Sequence, residues 1–424
     1  MKVLWFTDSP SLASEFLHLE RNITGWIESL QKEIIKIDGI ELGVAFPYGY
    51  EKEQRFEFAN SCYFSYPFSK SKKNIAGILS RWKHEIEPES VINYYLKIVE
   101  EFNPDVIQIF GTESPFGLMI PHVKVPVIIH IQGNLSVYSK KWFSGLSKIN
   151  ILRYSNIKIF LRAYGLWHLY FNFSNRAVRE RQLMKLCKYY MGRTDWDRRI
   201  SKVLSPASKY YQCEELLRKE FYEVKRWQKP TQDKIKIVTT ISSMAYKGLE
   251  TIIETSNLIK ENHLFEYEWI IAGLKGTEEI VRTIEKTYKQ KFVDQNIYFR
   301  GSLNAEKLIA ELNQAHVYVH PSHIENSPNS VCEAMLMGMP VIATYAGGTP
   351  TIVADGIEGI LIQDGDPFSL AGAIFELIQD ERLMVTLGEN AFKKASIRHN
   401  EKQVSESLIA IYKDIIEANI SENS

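Results

Sequence analysis

Short runs of β-branched and aliphatic residues alternate along this chain with stretches whose apolar residues recur at helical spacing, the pattern of parallel βαβ units. In the first half the spacing predicts strands at Val3–Phe6, Leu42–Ala45, Val106–Ile109 and Val127–Ile131, with helices over Gly25–Ile37 and Pro88–Phe102. A second series predicts strands at Ile235–Thr240, Trp269–Ala272, Ile297–Phe299, Val317–Val319, Val341–Ala343 and Ile360–Ile362. Its helices fall at Gly248–Glu261, Glu278–Lys291, Ala305–Asn313 and Pro328–Met337. Two such series in 424 residues predict an α/β chain of two Rossmann-like, doubly wound domains facing one another across a cleft. The polar stretch Trp227-Gln-Lys-Pro230-Thr-Gln232 precedes a fresh strand and sets the expected boundary between residues 1–228 and 229–400. A last helical pattern, Gln403–Ala418, makes 401–424 a helix expected to pack back on the first domain.

Composition excludes several classes. A chain 45% hydrophobic and 24% charged is neither disordered nor a coiled coil. Val3-Leu-Trp-Phe6 is too short for a secretory core before Asp8, and no apolar span reaches the roughly 20 residues of a membrane helix. Cys62, Cys187, Cys213 and Cys332 lie far apart, as reduced thiols do, so a soluble cytoplasmic chain is expected. The net charge of zero conceals an asymmetry: residues 1–230 hold 34 lysines and arginines against 24 acids. The excess is concentrated in an insertion over 138–188, where eleven cations and interleaved aromatics such as Trp142, Phe143, Tyr164 and Trp167 face the single acid Glu180.

The chemistry is densest in His320-Pro-Ser-His-Ile-Glu325-Asn-Ser-Pro-Asn-Ser-Val-Cys-Glu333. This segment follows the strand at Val317–Val319 and opens a helix, so it lies at the carboxyl edge of a parallel sheet, where such folds bind ligands. Ser327 is expected as the N-cap and Pro328 as the first helical residue, leaving the amides near Asn329 and Ser330 to favour a phosphate. Glu325 and Glu333 flank that phosphate site. Two carboxylates there are tolerable if they accept hydrogen bonds from hydroxyls, which describes a nucleotide-sugar; a capped surface helix with solvated acids is the plainer alternative.

These residues resemble the Glu-x7-Glu motif of the retaining glycosyltransferases of family 4, which have the GT-B fold and occur in surface polysaccharide biosynthesis. The match continues through Ala334-Met-Leu-Met-Gly-Met-Pro-Val-Ile-Ala-Thr344 and Gly347-Gly348, and Lys247-Gly248 resembles the family's basic donor-site motif. It covers about 235–395 and is weaker in the first half. The resemblance implies a metal-independent, hexosyltransferase-like enzyme without a cofactor, moving sugar from a nucleoside-diphosphate sugar to a glycan or polyprenyl-diphosphate-linked acceptor. It implies that Glu325 contacts the donor sugar, Glu333 the ribose, and the amides of Asn329, Ser330 and Val331 the diphosphate. Family members carry an Arg about five residues before the Lys, whereas this chain has Ser242-Ser243 there. Arg300, at a strand end, is either its replacement or an exposed surface residue.

In the first half, His130 ends a strand before Gly133-Asn134 and matches the family's His that lines the transferred sugar; on its own it reads equally as a buried core histidine. Thr24-Gly25 resembles the family's Gly-Gly loop with its first Gly replaced, and Gly111–Gly117 is expected on the acceptor side. Asp195-Trp-Asp197 and Asp364-Gly-Asp366 look like a metal-binding Asp-x-Asp, but each stands before a helix and reads better as a cap. No metal is expected. The basic insertion fits peripheral contact with an anionic membrane at its inner face, a solvated helical pair, or a nucleic-acid surface, and no nucleic-acid motif supports the last. A nucleotide-sugar epimerase or hydrolase on the same scaffold, and a non-catalytic sugar-nucleotide binding protein, are the competing functions.

Overall fold

The computed structural model describes residues 1–19, 25–49, 53–67 and 75–423. It divides into two compact units, one of residues 1–139, 171–216 and 399–424, the other of 140–170 and 217–398.

The first unit holds an eight-stranded sheet ordered β3-β4-β2-β1-β5-β6-β7-β8. Its strands are β1 (Lys2–Phe6), β2 (Glu41–Pro47), β3 (Gln54–Phe58), β4 (Ser61–Tyr66), β5 (Val106–Phe110), β6 (Val127–His130), β7 (Tyr189–Gly192) and β8 (Lys209–Gln212). All neighbours run parallel except β3 and β4. That pair is a hairpin turning at Ala59-Asn60, both in left-handed conformation (φ 46° and 54°), as a two-residue turn requires. The helix Glu401–Asn423 packs on the helix Trp26–Ile34, and its Leu408, Tyr412 and Ile415 join the apolar cluster of Val3, Trp5 and Leu30.

The second unit holds a six-stranded parallel sheet ordered β11-β10-β9-β12-β13-β14. Its strands are β9 (Ile235–Thr240), β10 (Tyr267–Ala272), β11 (Ile297–Gly301), β12 (Val317–His320), β13 (Val341–Thr344) and β14 (Ile360–Ile362). Taken in chain order this is the 3-2-1-4-5-6 arrangement, whose strand order reverses between β9 and β12. Helices cover both faces, so β12 and β13 are buried throughout and read as continuous apolar runs.

The basic stretch does not behave as one insertion of the N-terminal half. Residues 140–170 belong to the second unit, where Leu146, Ile151 and Leu166 enter the same apolar cluster as β9, β10 and β12. Its aromatics are divided between core and surface, with Tyr164 exposed. Trp142 is buried, with its ring 5.8 Å from that of Tyr246, and Phe143 packs against Tyr170. Passage into the second unit also falls at residue 217, twelve positions before the expected boundary.

Candidate active site

The order reversal between β9 and β12 opens a crevice at the carboxyl ends of these strands, and both loops that leave it carry charge. After β9 the chain makes one tight turn, Ala245–Lys247, and enters the helix Leu249–Glu261 through Gly248 at φ 76°. A side chain on Gly248 would place its Cβ 2.0 Å from the carbonyl oxygen of Pro321, so only glycine lets the β9 loop lie against the β12 loop. The His323 amide donates to the Tyr246 carbonyl at 2.8 Å and closes the two loops together.

This contact brings Lys247 onto Glu325. Its ammonium donates to the Glu325 carboxylate, which also accepts from the Ser322 hydroxyl at 3.3 Å and lies 3.5 Å from Nε2 of His320. Burial alone would raise the Glu325 pKa, but Lys247 and His320 together hold it down to about 2. The Glu325 backbone is fixed as well, since Gly348 donates to its carbonyl at 2.9 Å. Gly347, at φ 58°, approaches so closely that a Cβ would sit 1.9 Å from that oxygen.

The helix beyond runs Asn329–Met337 with Pro328, not Ser327, as its N-cap. The shift has a consequence for the amides. Val331 donates to the Pro328 carbonyl at 2.9 Å and is not available to a phosphate, whereas the Asn329 and Ser330 amides have no acceptor among the described residues. Glu333, one turn on, is buried and held by the two-pronged guanidinium of Arg218 at 2.6 and 2.7 Å. Burial pushes the Glu333 carboxyl up, and Arg218 offsets only part of that rise. Arg218 is the residue that sequence reasoning missed: it precedes the expected linker and belongs to no motif. Arg300, the expected replacement cation, instead donates to Glu311 at 3.1 Å, a carboxylate that also holds Lys236.

Behind the β12 loop, His323 lies between two acids, with Nε2 on Glu250 and Nδ1 3.2 Å from Asp364. Burial works against its protonation, but the two acids prevail and its pKa is raised. Lys141 reaches Asp364 from the basic segment at 3.2 Å, and Gly145 abuts the Glu250 carboxylate. Asp366 is the N-cap of the helix Pro367–Gln379, accepting from the Phe368 and Ser369 amides. Asp197 completes a capping box with Thr194, so neither Asp-x-Asp is arranged as a ligand pair.

In the first unit His130 ends β6, fully buried. Its ring meets Trp26 edge-on at 5.0 Å and stacks with Phe110 at 5.9 Å. Burial first, then the charge of Arg193, lowers its pKa to about 3, so the imidazole is neutral. A chain of neutral hydrogen bonds sets its tautomer: Trp5 donates to the Tyr412 hydroxyl at 2.9 Å, and Tyr412 donates to the Gln108 carbonyl oxygen. That leaves the Gln108 amide nitrogen facing Nδ1 at 3.4 Å, which assigns the ring proton to Nε2, an atom with no partner among the described residues. Gly25 is the N-cap of the helix Trp26–Ile34, with no atom of the described residues within 4 Å of its Cβ position, and Gly133 sits against the Tyr138 ring. Thr24 lies outside the described residues.

Residues 221–394 match the family described as glycosyl transferases group 1. Over 199 residues the chain is 29% identical to an uncharacterized glycosyltransferase of Methanocaldococcus jannaschii, covering 46% of this chain and 48% of that one. It is 27% identical over 179 residues to the capsular polysaccharide biosynthesis glycosyltransferase CapM of Staphylococcus aureus, covering 37% and 47%. The chain thus spans under half the length of these curated relatives. Among solved structures, sucrose-phosphate synthase from Thermosynechococcus elongatus shares the fold with a TM-score of 0.69 at 13% identity, over 99% of this chain and 100% of that one. HepE from Anabaena, solved in complex with UDP and glucose, gives 0.65 at 15% identity, over 97% and 99%.

Proposed function

With residues 221–394 forming a glycosyltransferase group 1 domain on a GT-B fold, we propose that the chain is a retaining, metal-independent glycosyltransferase. It moves a hexose-like sugar from a nucleoside-diphosphate sugar to a glycan or a polyprenyl-diphosphate-linked acceptor, in polysaccharide biosynthesis. The observation that carries this reading is the Lys247–Glu325 pair on the two loops that flank the β9/β12 reversal. A carboxylate held ionised to about pH 2 accepts from sugar hydroxyls at any working pH. Lys247 and the amides of Asn329 and Ser330 supply the positive field for a departing diphosphate. The β-phosphate oxygen takes the acceptor's proton as the glycosidic bond to the donor breaks and the new one forms, so the protein's part is positioning and electrostatics. His130 contributes a neutral Nε2–H. Lys247 and Arg218 are the cations on the two acids, and Arg300, whose guanidinium donates to Glu311, is given no role in this reading.

The nucleotide is tested by titrating UDP, GDP and ADP into the protein in EDTA. Binding of one of them, weakened about tenfold or more by Lys247→Ala, is the expected result; binding of none overturns the reading.

The same proposal places the chain at the inner face of an anionic membrane. What supports it is the outer side of residues 148–164, where Ile149 and Ile157 are 72% and 71% exposed and Leu152 and Leu161 are also exposed. These lie among Lys148, Arg153, Lys158 and Arg162, the mixture that suits a headgroup layer. No helix among the described residues is long and apolar enough to cross a membrane.

A further inference from the structure

The first unit has its own reversal of strand order, between β1 and β5, and the loops that leave it carry Asp8 and Ser114. The Ser114 hydroxyl donates to the Asp8 carboxylate at 2.5 Å. Around this pair lies a cavity of about 590 Å³, within the range of small-molecule sites. Its walls come from the carboxyl ends of β1, β2, β4 and β5 and include Tyr66, Tyr95, Glu87 and Arg176. None of these residues is used in the donor chemistry described above.

The polar groups are fixed, and their charge is lopsided. Arg176 is spent on Glu87, which Arg179 also holds at 2.9 Å. Burial pushes the Glu87 carboxyl up, but the two guanidinium groups prevail and hold it below the usual range. The Tyr66 and Tyr95 rings meet edge to face at 5.3 Å with their hydroxyls joined. Asp8 has the Ser114 hydroxyl as its donor and no ion pair of its own among the described residues. Glu85 adds a further acid to the lining. The cavity is thus a net acceptor of hydrogen bonds with negative charge, walled by proline rings such as Pro47 and Pro115 that can pack against the C–H face of a sugar.

We propose that this cavity binds the terminal sugar of the acceptor as an uncharged polyol, with Asp8 accepting from its hydroxyls, and that it rejects a phosphorylated sugar. Hydroxyl donors to a carboxylate make the stronger, charge-assisted kind of hydrogen bond, whereas a phosphate would meet Asp8, Glu85 and Glu87 with a single lining guanidinium already engaged. The inference rests on the transferase reading for what the bound sugar is used for. The cavity's preference itself can be measured without any donor.

Saturation-transfer NMR on the full chain supplies the test, with methyl glucoside, methyl galactoside and methyl N-acetylglucosaminide as neutral probes and glucose 6-phosphate as the charged one. At least one methyl glycoside is expected to bind, about tenfold or more tighter than glucose 6-phosphate. Asp8→Asn is expected to weaken that glycoside about fivefold or more, and Ser114→Ala to weaken it less. The urea midpoint of each variant serves as the measure that it is folded. Glucose 6-phosphate binding as tightly as the neutral probes, no glycoside binding at all, or glycoside binding indifferent to both substitutions in variants that remain folded overturns the proposal. UDP binding without glycoside binding sinks the cavity's role and leaves the transferase reading standing. Glycoside binding without any nucleotide binding does the reverse.

Discussion

His130 and Glu325 are both buried, yet their surroundings solve the problem of a buried polar group in opposite ways. The hydrogen bonds that reach His130 run along a neutral line, in which an indole, a phenol and an amide lead from Trp5 through Tyr412 and Gln108 to the imidazole, while Arg193 and Glu215 act on the ring by their charge. Around Glu325 the decisive partners are charged, and the acids have their own cations, Lys247 on Glu325 and Arg218 on Glu333. A neutral lattice costs little to assemble and loses about one hydrogen bond when cut. A charged lattice leaves an unpaired buried ion when cut, which costs far more than the pair contributes. The two units should therefore differ in how they respond to the same kind of substitution.

The largest effect is expected from breaking the charged side. Glu325→Gln keeps the shape of the side chain and removes the ionised acceptor, so turnover should fall about a hundredfold to a thousandfold with folding intact. A Glu325→Gln enzyme within a few-fold of the parent in kcat would remove the central role given to this residue. Arg218→Met acts on stability instead, by leaving Glu333 buried without its cation. About 2–3 kcal/mol of destabilisation is expected, below the range for a fully enclosed pair because a quarter of the Arg218 side chain reaches solvent. The urea midpoint reads it, and the double variant Arg218→Met/Glu333→Leu should recover most of the loss if the mechanism is the orphaned charge.

Tyr412→Phe is the corresponding cut on the neutral side and should cost only about 1 kcal/mol. Its more telling result is functional. Without the Tyr412 hydroxyl the Gln108 amide is free to flip and present its oxygen to Nδ1, which moves the ring proton and removes the Nε2–H donor. Turnover should drop while nucleotide affinity stays level; a loss of both together would place Tyr412 in general packing.

How far these two sites could be read from the sequence follows from the same contrast. The charged side announced itself, because a glutamate before a helix and a Lys-Gly at a strand exit are local patterns, and the strands of the second sheet carry short apolar runs such as Trp269–Ala272 and Val341–Ala343. The neutral side is built from residues 5, 108, 130 and 412, whose meeting no local spacing records. Arg218 escaped for the same reason. The hairpin of β3 and β4 was missed because its turn is Ala59-Asn60, without the Asn-Gly or Asp-Gly signal, and because β3 is a half-exposed edge carrying Arg55 and Glu57. The basic stretch misled by composition: most of its cations reached the surface, but Arg179 is buried on Glu87, and Trp142 went into the core of the second unit and took Lys141 with it to Asp364.

The smallest effects sharpen the comparison through pH, because each unit contains a buried histidine with a shifted pKa, His323 in one and His130 in the other, and these two are shifted in opposite directions. His323, held by Glu250 and Asp364, has a raised pKa in the folded state. Its contribution is fully present below the unfolded value of about 6.5 and is lost as pH rises through the folded value. His130 has its pKa lowered to about 3. Its contribution is present above about 6.5 and is lost as pH falls, because the unfolded chain takes up a proton that the folded chain refuses; about 1 kcal/mol should go between pH 6.5 and 5.5. Urea unfolding followed separately in His323→Asn and His130→Asn should therefore flatten opposite limbs of the stability profile, the alkaline limb in the first and the acid limb in the second. If both substitutions flatten the same limb, one of the two histidines carries the opposite charge to that assigned here.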